Sequence, residues 1–234
     1  MAQILVPTSS VEDWKRLLAQ PDLHWKAGFS AMTLARAWED AAATGFPAEV
    51  AQALGTGPSE WADLRLLLAI PEYQVALPGG SRASQTDLVA FGRSVSGLVA
   101  IAIEGKVDES LGPTVGQKRA EKSSGVDERL RYLEGALGLR SPCPDSIRYQ
   151  LLHRTVSALR IAEDFAAGSA VMLVQSFSPT SKWHDDFEAF ACLFGAPPVK
   201  GALTQIGNHG GVALYIGWCV GEQRFRSESV APVV

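Results

Sequence analysis

A chain of 234 residues, 47% hydrophobic and 20% charged, is long enough for one large globular domain or a domain with a helical extension. Its net charge of −4 excludes the uniformly basic surface of a protein that coats duplex nucleic acid, while leaving room for a local basic groove. Cys143, Cys192 and Cys219 match no CxxC or zinc-ribbon spacing, and the sequence has neither a secretory leader nor an apolar run of bilayer length, so a cytoplasmic protein without a membrane partner is expected.

Residues 9–70 read as helical. Ser10 is placed to cap VEDWKRLLAQ, with Asp13 three residues on. Ser30 is placed to cap AMTLARAWEDAAA, whose Met32, Leu34, Ala35 and Trp38 form an apolar stripe. Gly45 ends that helix, Pro47 begins PAEVAQAL, and after the break GTGPS the segment closes with WADLRLLLAI. From Pro71 the pattern turns to strands: EYQVALPGG running into a turn, QTDLVAFGR, then LVAIAIEGKVDE, apolar on both faces through Ile103. Residues 112–126 form a locally basic loop, DERLRYLEGALGL a short helix, and IRYQLLHRTVSALRIAEDFAAG the longest helix. AVMLVQSFS is a buried strand, DDFEAFACLFG a helix, GNHGG a turn and GVALYIGWCV the last strand. Helices followed by β-β-β-α-α-β-α-β predict an α/β protein: a mixed sheet with helices on both faces, in which residues 1–70 pack as a helical segment on a core of 71–234.

The chemistry gathers on the third predicted strand. Glu104 and Lys106 are two apart and share a face. If residues 94–97 make an even-length turn, Asp87 on the preceding strand stands opposite Glu104, with Cβ atoms roughly 5 Å apart. An odd turn breaks the pair. Opposed carboxylates repel unless a cation or a proton lies between them. Hard oxygen ligands favour Mg2+ or Mn2+ over zinc, and the backbone carbonyl of Gly105 is a further candidate metal ligand. Lys106 is placed to orient or deprotonate a water, or to meet charge on a phosphate. Asp87, Glu104 and Lys106 therefore fit phosphodiester hydrolysis; they also fit a structural ion pair where a sheet meets solvent. Gln85 shares the face of Asp87 as a substrate-binding candidate. Arg82, with Lys118, Arg119 and Lys122, is a candidate phosphate-backbone contact or a solvated charge run.

The segments TDLVAFGR and LVAIAIEGK, with Asp87 and then Glu104-Gly105-Lys106, resemble the core of the PD-(D/E)XK nuclease superfamily. The usual proline before the Asp is replaced by Thr86. The resemblance implies a three-layer α/β/α restriction-endonuclease-like core, spread over roughly residues 45–177 here. It also implies Mg2+- or Mn2+-dependent hydrolysis of nucleic acid, DNA above all, through Asp87, Glu104 and Lys106. Such folds often add a polar residue from the helix after the third strand. In 147–166, Gln150, His153 and Arg154 share a face: Gln150 as a catalytic candidate that positions water or metal, His153 and Arg154 as substrate-binding candidates. A polar helix edge packed on the sheet rim is the other reading of the trio. An acid from an upstream helix is also common, and Glu49 and Glu39 are the candidates, Glu49 as a metal ligand; both read equally as surface helix residues. Cutting a duplex usually takes two sites, which implies a homodimer. A relative that keeps the fold without turnover, as a binding or interaction module, is the alternative.

The whole chain, through HWKAGFSA, LPGGSRASQTD, EGKVDE and IRYQLLHRT, also resembles an uncharacterised bacterial family of about this length, which carries no activity with it. His24, His153, His184 and His209 show no HExxH spacing, and there is no GxSxG elbow, Walker A loop or GxGxxG after a strand.

Overall fold

The structure, a computed structural model, describes residues 7–80, 82–140, 142–195 and 197–227. Among these, six strands form one sheet: β1 (Arg65–Val75), β2 (Ser84–Ser94), β3 (Gly97–Lys106), β4 (Ser169–Ser176), β5 (Leu203–His209) and β6 (Val212–Val220). Their order is β1-β2-β3-β4-β6-β5. The first three strands are an antiparallel meander, β3, β4 and β6 run parallel, and β5 lies antiparallel to β6.

Local chemistry explains the joints. Ser94 pairs with Gly97, so Val95 and Ser96 alone make the β2–β3 turn, and Gly97 takes a φ of +123° that only glycine adopts freely. A parallel step needs a long crossover. From β3 to β4 it is supplied by α5 (Val115–Arg119), α6 (Ser124–Ala136) and α7 (Tyr149–Asp164).

Alternation along β3 builds both cores. Ala100 and Ala102 pack with Leu151, Leu152 and Val156 of α7, and α8 (His184–Cys192) joins that side through Phe187 and Phe190. Val99, Ile101 and Ile103 pack on the other side with Leu34 and Trp38 of α3 (Ser30–Ala41) and Val50 and Leu54 of α4 (Ala48–Leu54). The result is a mixed sheet in a three-layer α/β/α arrangement, with α1 (Val11–Lys15), α2 (Pro21–His24), α3 and α4 as the N-terminal helical segment. Each fully buried Ile or Leu contributes roughly 1.5–3 kcal/mol. A one-residue slip of β3 would exchange its two faces, so these cores also fix the register of the site. Among the described residues no helix is long and apolar enough to cross a membrane.

Four segments differ from the sequence reading. RLLLAI, expected to end the helical segment, is the first half of β1. Periodicity cannot separate a short apolar run into helix or strand, and here β2 takes it as a ladder partner. The helix expected from Ser10 stops at Lys15. The expected basic loop contains α5, started by a capping box between Thr114 and Gln117. LTQIGNH is strand β5; the turn that follows it is Gly210–Gly211, both with positive φ.

Candidate cation site at the end of β3

Because the hairpin turn has two residues, Leu88 pairs with Ile103 as the last pair of the ladder, and the same register carried one step further brings Asp87 level with Glu104. The N–H of Gly105 donates to Asp87 Oδ2 at 3.0 Å. Glu104 Oε1 accepts from Lys106 Nζ at 2.8 Å and from Gln150 Nε2 at 2.6 Å. Its Oε2 accepts from Arg154 Nε, while Arg154 Nη2 lies 3.7 Å from Asp87 Oδ1. Ser84 Oγ accepts from Arg154 Nη1 at 3.1 Å and lies 2.9 Å from His153 Nδ1. Glu104, Lys106 and Arg154 are only 2%, 6% and 8% exposed. Charges that deep are tolerated only when paired and hydrogen-bonded, as these are.

A third acid enters from β1. Glu72 has a φ of +55°, and the kink breaks the strand's alternation: Ile70 and, three residues on, Tyr73 pack against the same core. Gln85 Nε2 donates to Glu72 Oε2 at 2.6 Å. Just past β3, Glu109 accepts from the N–H of Ser30 at 2.6 Å and of Val107 at 2.8 Å. That carboxylate sits against the positive end of α3. Glu72, Gln85, Asp87, Glu104, Lys106, Glu109, Gln150 and Arg154 line one cavity of about 320 Å3, which Leu18, Ala19, His24 and Ala31 of the N-terminal segment also line.

Around it four carboxylates, of Glu72, Asp87, Glu104 and Glu109, face two cations, Lys106 and Arg154, a formal surplus of two negative charges when every acid is ionised. Burial, then repulsion from Asp87, pushes Glu72 up to about 8. Burial, then Glu104, pushes Asp87 up to about 7. Burial acts on Glu104 in the same sense, but Arg154 and Lys106 outweigh it and hold that carboxyl down to about 2. Burial, then Arg154, drives His153 well below the usual imidazole range, so the ring is neutral. Near neutral pH protons held by Glu72 and Asp87 meet much of that formal surplus; a divalent cation would take their place, and the oxygen donors suit Mg2+ or Mn2+.

A family model for a domain of unknown function, DUF6946, matches residues 7–223. The chain belongs to that family. No curated protein and no solved structure matches it. The matched span takes in every residue that lines the cavity.

Within the DUF6946 domain, the other residues singled out from sequence lie elsewhere. Glu49 is not with the acids: its Oε1 accepts from Gln175 Nε2 at 2.6 Å, and Gln175 in turn accepts from Trp38 Nε1 at 2.9 Å. This trio lies on the α3–α4 side of the sheet, where Gln175 is paired with Gly105 and Gly105 faces Leu34. Glu39 ties α3 to α1 by accepting from Trp14 Nε1 at 2.6 Å. Gly105 contributes its N–H to the site by donating to Asp87. His153 lies against Tyr149, with ring centroids 4.9 Å apart and planes tilted by 49°, and is not among the residues that line the cavity. Arg82 lines a separate concavity with Gly79, Gly80, Lys118 and Arg129. Lys118 pairs with Glu121, and Arg119 with Glu134 and Asp145, so the basic run does not face the acids. On α8, His184, Asp185 and Glu188 bring candidate ligand atoms within 4.8 Å of one another, with both acids exposed. Nothing in the spacing of the sequence singled out Glu72, because the long β1–β2 connection leaves the register of the two strands open.

Proposed function

We propose that this chain is a divalent-cation-dependent phosphodiesterase acting on nucleic acid, with DNA as its substrate, through Asp87, Glu104 and Lys106. The observation that carries the reading is that Asp87 and Glu104, next along β2 and β3 beyond the last ladder pair, line one cavity with Lys106 and two further acids, Glu72 and Glu109. The PD-(D/E)XK resemblance of TDLVAFGR and LVAIAIEGK supports it by analogy.

Asp87, Glu104 and Glu72 offer the carboxylate oxygens to hold Mg2+ or Mn2+. When bound, such an ion supplies a Lewis acid and an acidified water for attack on phosphorus. Lys106, kept charged by Glu104 and Asp87 against the effect of burial, faces developing negative charge on the phosphate. Gln150, through its amide, positions a water or a phosphate oxygen beside Glu104. Arg154 offers a planar fork to a phosphate. A homodimer, giving two cuts in a duplex, belongs to the same reading.

The test incubates wild type and Lys106→Ala with supercoiled and linear DNA and with RNA, in Mg2+, in Mn2+ and in EDTA. Cleavage that requires the cation and disappears in Lys106→Ala is expected. Cleavage unchanged in the variant would sink the assignment. One observation favours a second reading, a non-catalytic binding module: both oxygens of Glu104 are already engaged by Lys106, Gln150 and Arg154. Retained DNA binding without cleavage of any substrate is the outcome that selects it.

A further inference from the structure

Arg154 spans the two carboxylates that the cation reading assigns as ligands. Its Nε binds Glu104 Oε2 and its Nη2 reaches toward Asp87 Oδ1 at 3.7 Å. Its Nη1 donates to Ser84 Oγ, which Ser157 Oγ also approaches at 2.9 Å. The guanidinium thus lies where a cation shared by Asp87 and Glu104 would sit. With Lys106 also on Glu104, that carboxylate is neutralised twice over.

The three attachments of Arg154 are unequal. Those to Glu104 and Ser84 are at hydrogen-bond distance, whereas the arm toward Asp87 is longer and its partner carboxylate is 24% exposed, on the cavity side. A guanidinium is weakly hydrated and matches a phosphate as well as it matches a carboxylate, through two parallel N–H bonds. A phosphate entering the cavity therefore competes for Arg154 on the side where it is held least.

We propose that Arg154 is an internal stand-in for the cation: it closes the Asp87–Glu104 pair when no phosphodiester is bound, and a phosphodiester draws it off, so that divalent-cation loading and substrate binding are coupled. This rests on the cation reading above. Without substrate the cation meets two resident positive charges and binds weakly. With a phosphate on Arg154, Asp87 and one oxygen of Glu104 are released to it. The device keeps a loaded metal–water centre from forming until a phosphodiester is present.

The experiment is calorimetric titration of the full chain with Mn2+ alone, for wild type, Arg154→Met and Arg154→Lys, each repeated in an Asp87→Asn background. The wild-type and Arg154→Met titrations are repeated with a nuclease-resistant phosphorothioate oligonucleotide present. Arg154→Met should bind Mn2+ about ten-fold more tightly than wild type or better, because a like charge has been removed from the site. Arg154→Lys, which keeps the charge but cannot span both acids, should fall between them, and Asp87→Asn should erase the gain. The oligonucleotide should tighten Mn2+ binding in wild type and do so much less in Arg154→Met. Should Arg154→Met not fold, the lysine variant and the wild-type oligonucleotide titration decide. Variants that bind Mn2+ no more tightly than wild type overturn the coupling and leave the cation site standing. Absence of Mn2+ binding by every protein overturns both.

Discussion

Glu72 faces Asp87 across the β1–β2 ladder from a backbone held at a φ of +55°, so β1 spends conformational strain to bring a second carboxylate toward the first. The consequence for stability has a definite sign. Folding raises both acids from their ordinary values of 4.5 and 3.8, to about 8 and about 7. Between those limits the folded state holds protons that the unfolded chain has released, so stability falls as pH rises through that window. Glu104 acts oppositely: its depressed value makes a contribution that is present above the unfolded value and lost as pH falls toward about 2. From these three groups stability should peak near roughly pH 4 and fall by several kcal/mol, on the order of 5 or more, by about pH 9 in the absence of metal. Glu72→Gln should flatten the alkaline limb while leaving stability near roughly pH 4 little changed. Denaturant midpoints at three pH values check this; parallel slopes in variant and wild type would count against it.

Glu72 and Glu49 also separate by metal binding. Glu72→Ala should weaken Mn2+ affinity by about ten-fold, the effect of losing one anionic ligand near the ion. Glu49→Ala should leave it unchanged, because Glu49 is hydrogen-bonded to Gln175 on the other side of the sheet. Calorimetry on both variants distinguishes the two positions directly, and equal losses would contradict the placement of the site.

The contrast between these two glutamates shows what a sequence can reveal. Asp87, Glu104 and Lys106 were legible because a strand repeats every two residues and a two-residue turn fixes who faces whom. Gln150 and Arg154 were legible because four residues on a helix return to one face. Glu49 was misassigned because helical periodicity does not say which side of a sheet the helix will cover. Glu72 was not legible because β1 and β2 are joined by the long segment 76–83, so the sequence does not give the register that brings it beside Asp87. The first half of β1 was lost for a related reason: RLLLAI is apolar without a period, and its partner strand decides its state. The three-layer arrangement survived these errors, since it follows from the order and apolarity of the later elements.

The loop between β1 and β2 offers a stability test away from the acids. Gly79 has a φ of +77°, and a Cβ there would lie 2.3 Å from the backbone N of Arg129 and 2.6 Å from the carbonyl O of Gly125. Arg129 in turn holds the carbonyls of Leu77, Pro78 and Arg82. Gly79→Ala should therefore cost about 3 kcal/mol or more, combining backbone strain with displacement of a buried hydrogen-bonded arginine. Gly80→Ala, with a φ of +100° but nothing nearer than Arg129 Nη2 at 3.9 Å, should cost only about 1–2 kcal/mol. Equal losses in thermal melts of the two variants would show that close packing against α6 is not what demands Gly79.

The ion network itself predicts an asymmetry between its two cations. Arg154 bonds Glu104 and Ser84 and reaches Asp87, whereas Lys106 donates to Glu104 alone. Removing one partner of a buried pair leaves an uncompensated charge, at a cost of about 3–5 kcal/mol. Arg154→Met should fall in that range without metal, and Lys106→Met should cost less because Arg154 still covers Glu104. Combining Arg154→Met with Glu104→Gln should recover much of the loss, since the stranded charge is removed along with its partner; a double-mutant cycle from urea unfolding reads this coupling. Mn2+ should stabilise Arg154→Met more than wild type and should do little for the double variant, whose Glu104 ligand is gone. If Mn2+ instead raised the stability of all three equally, the cation would be binding somewhere other than between Asp87 and Glu104.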